Sequence, residues 1–463
     1  MKKEVASRAF FLLLSKLVPL IVQLLIIFIF SRRLSYDDYG KYQSIWLYMN
    51  VLSAIGLFGL PALLLSTSFT NIIYWMKENK RTVVPIFLLL NLLPIVYIFT
   101  IAQYLGGITS FLLLATIIAQ NISIITEALA VKNEREKNVV AANVIFAVLF
   151  LALHLFVLDN GYSLIKLLPG LMAIYLLKAL LLFNIKHFQT GNAASLKFIN
   201  NTGKQWFYLG INDIVGMLFK WLDKWVILLL LTSAQFAIYF NGAYEVPVFG
   251  LMISAAGSIM LVELSKDNTT IAEQATQIFK STSLLLASIV FPSFCFLLFY
   301  NQEFFLLFFG AKYEASIPIF LVSIFILPVR IINYTAVLQV LHRNDLVVKG
   351  ALIDIVAAIL LMLILYPLLQ ERGIALAFVI STYVQVGYYL FQTGKLINKK
   401  LFDFFPIKQL LLIMLFSIVI MLASKYALIL LSSTYKLMAG ILICIVAILL
   451  LILYHLKMAK KNY

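Results

Sequence analysis

The sequence contains little charge for its length. Of its 463 residues, 12% are Asp, Glu, Lys or Arg, and 63% are apolar. Soluble domains carry about 25% charged and about 45–50% apolar residues, so the composition excludes a soluble globular protein and a disordered one. Cys295 and Cys444 are the only cysteines, and both lie in apolar runs, which excludes a disulfide scaffold and argues against thiol chemistry. A membrane protein remains, with a mean hydropathy of +1.00.

Motifs that carry enzymatic chemistry are also lacking. No G-x-x-x-x-G-K-[ST] segment is present, and none of the four histidines pairs with another at metal-ligand spacing. No loop is large enough to fold as a catalytic domain. The sequence therefore predicts no enzyme, no catalytic residues, no cofactor and no metal. The net charge of +16 lies mostly in short loops between apolar runs, which fits membrane topology and not nucleic-acid binding.

Long apolar runs dominate what is present. A membrane-spanning helix needs about 20 mainly apolar residues. Fourteen runs meet this length, which predicts an all-α polytopic protein; the first is too long for a signal peptide and is expected to be retained. The runs are 9–31, 43–66, 83–105, 110–131, 139–158, 163–184, 207–231, 236–262, 280–300, 314–338, 347–367, 373–394, 407–426 and 436–456.

The connecting loops indicate the orientation. With the N-terminus in the cytoplasm, inside segments carry 23 Lys and Arg residues and outside segments carry 7. Because Lys and Arg concentrate in cytoplasmic loops, this ratio predicts that both termini are cytoplasmic.

The chain divides at a polar stretch. We expect an N-terminal lobe at 1–184, a cytoplasmic linker at 185–206, a second lobe at 207–396, and two further helices with a cytoplasmic tail at 397–463. A faint repeat supports two lobes, since LSYDDYGKY from Leu34 aligns with LTSAQFAIY from Leu231 at an offset of 197. Each segment follows an odd-numbered span, as expected for parallel repeats. The predicted architecture is two pseudo-symmetric six-helix lobes around a central cleft.

Each ionisable residue inside a span raises the free energy of membrane insertion, by about 2.5–3.5 kcal/mol at a helix centre. These residues are expected to pair or to face a wet cavity. Helical periodicity places polar side chains on shared faces of five spans. The charged set comprises Lys16, Glu127, Lys178, Asp213, Lys220, Asp223, Lys224, Glu245, Arg330 and Asp354.

The deeper cations predict an anionic substrate, because Arg and Lys bind phosphate. Lys16, Lys220, Lys224 and Arg330 are the candidate substrate-binding residues of a cationic cleft. Gln23, Gln120, Ser381, Gln385 and Tyr388 are candidate sugar-facing or cleft-lining residues. Glu127, Asp213, Glu245 and Asp354 are candidates for ion coupling. The alternative for each acid is a structural ion pair, and Lys178 has the further alternative of extending to the interface.

Three segments resemble those of a transporter family. LSYDDYGKYQ after span 1, DKWVILLLLTSAQFAIYFNGAYEVP across spans 7 and 8, and FFGAKYEASIPIF between spans 9 and 10 resemble the polysaccharide flippases. These include the Wzx-type O-antigen translocases of the multidrug/oligosaccharidyl-lipid/polysaccharide (MOP) exporter superfamily. The resemblance implies two facing six-helix lobes followed by two extra helices, as in MOP and MATE transporters.

The resemblance also implies a function. The substrate would be an oligosaccharide repeat unit of O-antigen or a related surface polysaccharide, joined by pyrophosphate to a polyprenyl lipid such as undecaprenol. The carrier would move it by alternating access, with ion coupling, from the cytoplasmic to the outer leaflet of a bacterial inner membrane. Implied partners are the lipid-linked oligosaccharide, the bilayer, and a polysaccharide polymerase and chain-length regulator.

Three alternatives stay open at this point. A MATE-like drug or cation antiporter would have twelve spans and a cleft dominated by acids. A membrane-embedded glycosyl or acyl transferase would need a catalytic acid, base or histidine at a membrane face. A flippase for a lipid-linked peptidoglycan precursor would share the fold and differ in substrate.

Overall fold

The computed structural model describes residues 2–67, 69–101, 105–183, 202–264, 271–341 and 343–461. These residues form helices, short 3₁₀ segments and turns, and no strand occurs among them. Eleven helices in the described ranges are long and apolar enough to cross a bilayer, and a bent pair makes up to twelve. The predicted all-α polytopic membrane fold is therefore confirmed.

The first compact unit covers Met1–Ala234. Its helices are α1 (Lys2–Arg33), α2 (Tyr36–Leu57), α3 (Leu60–Ser66), α4 (Phe69–Glu78), α5 (Lys80–Thr100), α6 (Gly107–Lys132), α7 (Glu136–Asp159), α8 (Leu164–Leu182) and α9 (Thr202–Leu230).

The second compact unit covers Gln235–Tyr463. Its helices, the first of which starts two residues before this boundary, are α10 (Ser233–Gly242), α11 (Pro247–Leu264), α12 (Ile271–Phe299), α13 (Asn301–Phe309), α14 (Ile317–Ser323), α15 (Ala336–Val340), α16 (Asn344–Leu369), α17 (Glu371–Leu396), α18 (Leu401–Phe404), α19 (Ile407–Ala427) and α20 (Ser433–Lys461). The 3₁₀ segments Ala311–Ser316 and Ile324–Val329 flank α14.

The boundary between the units differs from the predicted linker. Residues 184–201 of that linker lie outside the described residues, and 202–206 already belong to α9. Helix α9 packs against α2, α3 and α4, and so it groups with the first unit. A polar composition marks a connection but carries no information on packing. The predicted four-part division stays a prediction.

Two predicted spans account for the difference between the fourteen spans expected from the sequence and the up to twelve found among the described residues. Span 7 corresponds to α9, which is long enough but carries Asp213 near its middle and Lys220, Asp223 and Lys224 in its second half. Span 8 corresponds to α10 and α11, which are separated by the turn from Ala243 to Val246. Because α9 is charged and α10 and α11 are each too short, neither predicted span is counted among the helices that are long and apolar enough to cross a bilayer.

Predicted spans 2 and 10 are also interrupted. Span 2 bends by 52° between α2 and α3, because Phe58 and Gly59 adopt left-handed conformations with φ of 42° and 71°. Span 10 is divided into 3₁₀ and α segments. Apolar residues continue through both breaks, so hydropathy alone could not reveal them.

Helix α2 begins earlier than predicted, at Tyr36 and not at residue 43. Ser35 caps it by accepting a hydrogen bond from the Asp38 backbone N–H at 3.1 Å. Asp37 and Asp38 add negative charge to its first turn, where the helix dipole favours it. The LSYDDYGKY segment is therefore a helix start, and it brings Gly40 against the backbone of Ser233.

Candidate functional site

Polar side chains of the second unit meet at two helix interruptions. Glu245 lies in the turn between α10 and α11, and Arg330 follows the 3₁₀ segment Ile324–Val329. Arg330 Nη2 donates to the two carboxylate oxygens of Glu245 at 3.5 and 3.4 Å. Both residues border a cavity of about 40 Å³ that Tyr244 and Ser323 also line. Non-helical backbone at membrane depth is tolerated where it lines a cavity, and this cavity has room for a water molecule.

The Arg330–Glu245 pair is weak. Its shortest separation of 3.4 Å exceeds the roughly 2.7–2.9 Å of a strong charge-assisted hydrogen bond. The two side chains are 27% and 42% exposed, so solvent screens them. An anion that entered the cavity would compete with Glu245 for the guanidinium group.

Asp354 lies next to this pair and is far more buried, with 2% exposure. The charge of Arg330 and the hydroxyl of Ser381 both act on its carboxylate. The Ser381 hydroxyl also donates to the Phe378 carbonyl at 3.0 Å, and one hydroxyl proton cannot serve both acceptors at once. Within the described part of the chain, Asp354 Oδ1 has no hydrogen-bond partner. A buried carboxylate satisfied this poorly is suited to bind a proton or a cation.

The predicted sugar-facing stripe of α17 faces α16 for most of its length. Ser381 is fully buried, and Gln385, at 9% exposure, donates to the Gly350 carbonyl of α16 at 3.4 Å. Tyr388 is half-buried beside Tyr389. Ser381 and Gln385 therefore connect α17 to α16 through Asp354 and Gly350, and Tyr388 retains exposed surface.

The charged residues of α9 lie in three different environments. The Asp213 carboxylate accepts a backbone hydrogen bond from Gly59, where the break in span 2 leaves N–H groups without helical partners. Lys220 is exposed, with Nζ 5.5 Å from the Trp221 ring centroid. Lys224 is 7% exposed and pairs with Asp223 at 3.2 Å. A shared helical face therefore does not give these residues a shared role.

The polar stripe of α6 faces α8 inside the first unit. The Thr116 hydroxyl lies 3.2 Å from the Leu168 carbonyl of α8. Glu127 pairs with Lys178 of α8 at 2.6 Å. Gln120, between them, is 9% exposed. This arrangement matches the structural alternative for Glu127 and gives Lys178 a partner inside the bundle.

The candidate site residues of helix α1 are exposed, unlike those of α6. Lys16 and Gln23 are both exposed on the first unit. They are seven residues apart, which places them two turns apart on one side of the helix. This face of α1 is open to contact from outside its own unit.

The four predicted cations are therefore not equivalent. Lys16 and Lys220 are exposed, Arg330 has a weak acidic partner, and Lys224 has a buried one. Lys16, Lys220 and Lys224 belong to the first unit, and Arg330 belongs to the second. Their joint role in one cleft stays a prediction.

Sequence reasoning missed a cluster at the predicted outer end of the second unit, which we call the α12–α20 clamp. Glu303 pairs with Lys425 at 2.5 Å and with Lys436 at 3.8 Å. Lys425 Nζ lies 5.0 Å from the Tyr300 ring centroid, and the Tyr300 hydroxyl is 2.8 Å from Ser424 Oγ. All these charges lie on the predicted outer side, which was the available signal, but sequence does not show which loops meet.

A second missed cluster surrounds His154. Its Nε2 lies 3.2 Å from the Tyr42 hydroxyl and its Nδ1 lies 2.7 Å from the Phe150 carbonyl. His154 is fully buried and packs against the rings of Phe30 and Trp46. A search for metal-ligand spacing passed over it, because its partners are aromatic.

Comparison with solved structures identifies the fold. The chain aligns with the lipid II flippase MurJ in an inward closed conformation, with a TM-score of 0.69 and 17% sequence identity over 96% of this chain and 98% of the flippase. It also aligns with an outward-facing MATE family multidrug resistance transporter of the MOP superfamily, with a TM-score of 0.49 and 12% identity over 83% of this chain and 94% of the transporter. No family model and no curated protein sequence matches the chain.

The alignment with the flippase spans nearly the full length of both chains. The chain therefore shares the fold of this flippase, and the predicted all-α polytopic membrane fold is confirmed. At 17% identity, this likeness establishes the fold and leaves the substrate to be argued from the residues.

Proposed function

We propose that this protein is a flippase for a polyprenyl-pyrophosphate-linked oligosaccharide, the repeat unit of an O-antigen or a related surface polysaccharide. The observation that carries the proposal is the fold likeness to a lipid II flippase over 96% of this chain. The residue pattern adds support, because deep cations suit a diphosphate and polar side chains suit sugars. Transport would run from the cytoplasmic to the outer leaflet by alternating access.

In this proposal Arg330, Lys220 and Lys16 bind the diphosphate. Arg330 is the strongest candidate, because its guanidinium group borders a cavity and is held by a weak, partly exposed pair. A diphosphate offers bidentate contacts that Glu245 does not make at 3.4 Å. Lys224 contributes less, because Asp223 neutralises it in a buried position. Gln23 and Tyr388 have the exposed surface that a sugar contact needs.

Asp354 is the proposed ion-coupling residue. Of the four candidate acids, Glu127 pairs with Lys178, Asp213 accepts from Gly59, and Glu245 pairs with Arg330. Asp354 is buried beside Arg330 with a poorly satisfied carboxylate. Binding of a cation or proton at Asp354 would change the field at Arg330 and so its affinity for phosphate.

The test is complementation in the native bacterium after deletion of the gene. The deletion is expected to accumulate the lipid-linked glycan in the cytoplasmic leaflet. Arg330→Ala is expected to leave that accumulation in place, with Arg330→Lys restoring part of the export. Lys16→Ala and Lys220→Ala should each weaken export, because each removes a phosphate contact. Lys349→Ala, which removes an exposed cation near the start of α16, is the matched control and should export normally.

Two outcomes would contradict the proposal. If the variants at Lys16, Lys220 and Arg330 all export glycan as the wild type does, with equal protein levels, these cations do not bind substrate. If the deletion leaves every lipid-linked glycan at its normal level, the protein is not a flippase of this kind. Transport of a cationic dye by the purified protein would then favour an antiporter.

The second candidate substrate is lipid II, the substrate named for the aligned flippase. The identity of the accumulating lipid separates the two candidates. Accumulated lipid II with normal polysaccharide export would replace the surface-polysaccharide substrate and retain the flippase mechanism.

A further inference from the structure

The first unit contains an apolar groove that the proposed transport site does not use. It has a volume of about 470 Å³ and lies between α4, the start of α5 and the start of α9. We call it the α4–α9 groove. Its lining includes Phe58, Trp75, Val83, Trp206 and Phe207. None of the candidate substrate-binding cations Lys16, Lys220, Lys224 and Arg330 lines it.

Helix α4 contributes Trp75 to one wall of the groove, and the helix is amphipathic. Ile72 and Trp75 are buried, whereas Tyr74, Met76 and Lys77 are exposed. A short amphipathic helix between two spans typically lies in the membrane interface. The aromatic floor follows from close packing, since the Trp206 ring centroid lies 5.5 Å from that of Trp75 and 5.5 Å from that of Phe58.

Cations surround the apolar floor. Lys80 and Arg81 lie between Asn79 and Thr82, which both line the groove, and Lys204 follows the lining residue Gly203. All three side chains are exposed. The neighbouring acid, Glu78, is engaged by a hydrogen bond from the Tyr74 hydroxyl. Glu78 keeps its negative charge, but the three cations outnumber it, so the rim carries a net positive charge above an apolar floor.

The orientation predicted from the sequence places both contributing loops on the same side of the membrane. The distribution of Lys and Arg predicts that Lys77, Lys80 and Arg81 are cytoplasmic, and it predicts the same for Lys204. In the structure these loops meet at one groove. A cationic rim at the cytoplasmic interface attracts the anionic lipids of that leaflet.

We propose that the α4–α9 groove binds an anionic glycerophospholipid of the cytoplasmic leaflet, with one acyl chain on the aromatic floor and the phosphate at Lys80, Arg81 and Lys204. The volume is within the range of about 300–1,000 Å³ typical of small-ligand sites. This size suits one acyl chain and not a long polyprenyl chain. The bound lipid would hold α4 against α9 next to the break in span 2.

The test is native mass spectrometry of the purified full-length protein with phosphatidylglycerol and phosphatidylcholine of identical acyl chains. Wild type is expected to retain phosphatidylglycerol preferentially. A triple variant, Lys80→Gln, Arg81→Gln and Lys204→Gln, should lose that preference, by about fivefold for each cation removed. Thr82→Trp places a large side chain in the groove and should reduce binding of both lipids. The control is Lys400→Gln, Lys408→Gln and Lys457→Gln, which removes three exposed cations from the second unit.

A second measurement guards against variants that fold poorly. Phosphatidylglycerol with brominated acyl chains should quench the fluorescence of wild-type protein through Trp75 and Trp206, which line the groove. The rim triple variant should weaken that quenching. Equal retention of both lipids by wild type, or unchanged preference in the rim variant, overturns the proposal. Displacement of phosphatidylglycerol by an equimolar amount of undecaprenyl phosphate also overturns it, because the occupant would then be the carrier lipid. Each readout is binding, so failure here leaves the transport proposal untouched.

Discussion

At the scale of single residues, the first unit accommodates charge inside the bundle by pairing it across helices. Lys178 Nζ lies 2.6 Å from Glu127 Oε2, and Asn143 donates to the other oxygen at 3.4 Å. The Lys178 ammonium also lies 5.2 Å from the Phe146 ring centroid. The two charged side chains are only 12% and 26% exposed. Removing one partner therefore leaves the other with little access to water.

We expect Lys178→Met to destabilise the protein by about 3 kcal/mol, because breaking a buried pair costs about 3–5 kcal/mol and this pair is not fully buried. The double variant Lys178→Met with Glu127→Gln should recover most of the loss. Thermal unfolding in detergent measures both changes. The exposed pair between Lys41 and Asp37 at 2.7 Å is the control, and Asp37→Asn should cost less than about 1 kcal/mol. A double variant as unstable as the single one would show that the pair is not the source.

At the scale of helices, the sequence predicted where apolar segments lie but not where they break. Helices α5 to α8 correspond to predicted spans 3 to 6, because each is one uninterrupted apolar run. The break at Phe58 and Gly59 depends on φ angles that hydropathy does not encode. Helical periodicity likewise gave the face of each polar residue without its neighbour. Thus Ser381 and Gln385 share a face as predicted, but that face contacts α16.

Gly40 shows how one helix start constrains another. A Cβ atom at this position would lie 1.8 Å from the Ser233 carbonyl oxygen, so two backbone segments of the first unit touch here. Close approach of this kind requires glycine.

Gly40→Val is expected to prevent stable folding, because backbone atoms cannot move aside as a flexible side chain can. Fluorescence-detected size-exclusion chromatography should show a large loss of the monodisperse peak. Gly107→Val is the control, since a Cβ atom there meets nothing within 4 Å. A normal elution profile for Gly40→Val would mean that the backbones at Gly40 and Ser233 do not approach this closely.

At the scale of the whole molecule, the orientation prediction is testable at the two ends of α20. Thr434, at the N-terminal end, is predicted to be outside, and Lys457, near the C-terminal end, is predicted to be cytoplasmic; both are exposed. In a background of Cys295→Ser and Cys444→Ser, Thr434→Cys should react with a membrane-impermeant maleimide in intact spheroplasts. Lys457→Cys should react only after permeabilisation. The reverse pattern would invert the topology and would move the α4–α9 groove to the outer leaflet.

The α12–α20 clamp has a practical consequence for anyone who shortens this chain. Helices α19 and α20 could be mistaken for a dispensable C-terminal extension of a twelve-helix carrier. Ending the protein after α17 would remove Lys425 and Lys436, the two cations that pair with the Glu303 carboxylate. The Tyr300 hydroxyl would also lose its hydrogen bond with Ser424. The truncation would also uncover the side of α12 that packs against α19 and α20. Expression work on this protein should therefore keep the last two helices and place affinity tags beyond them.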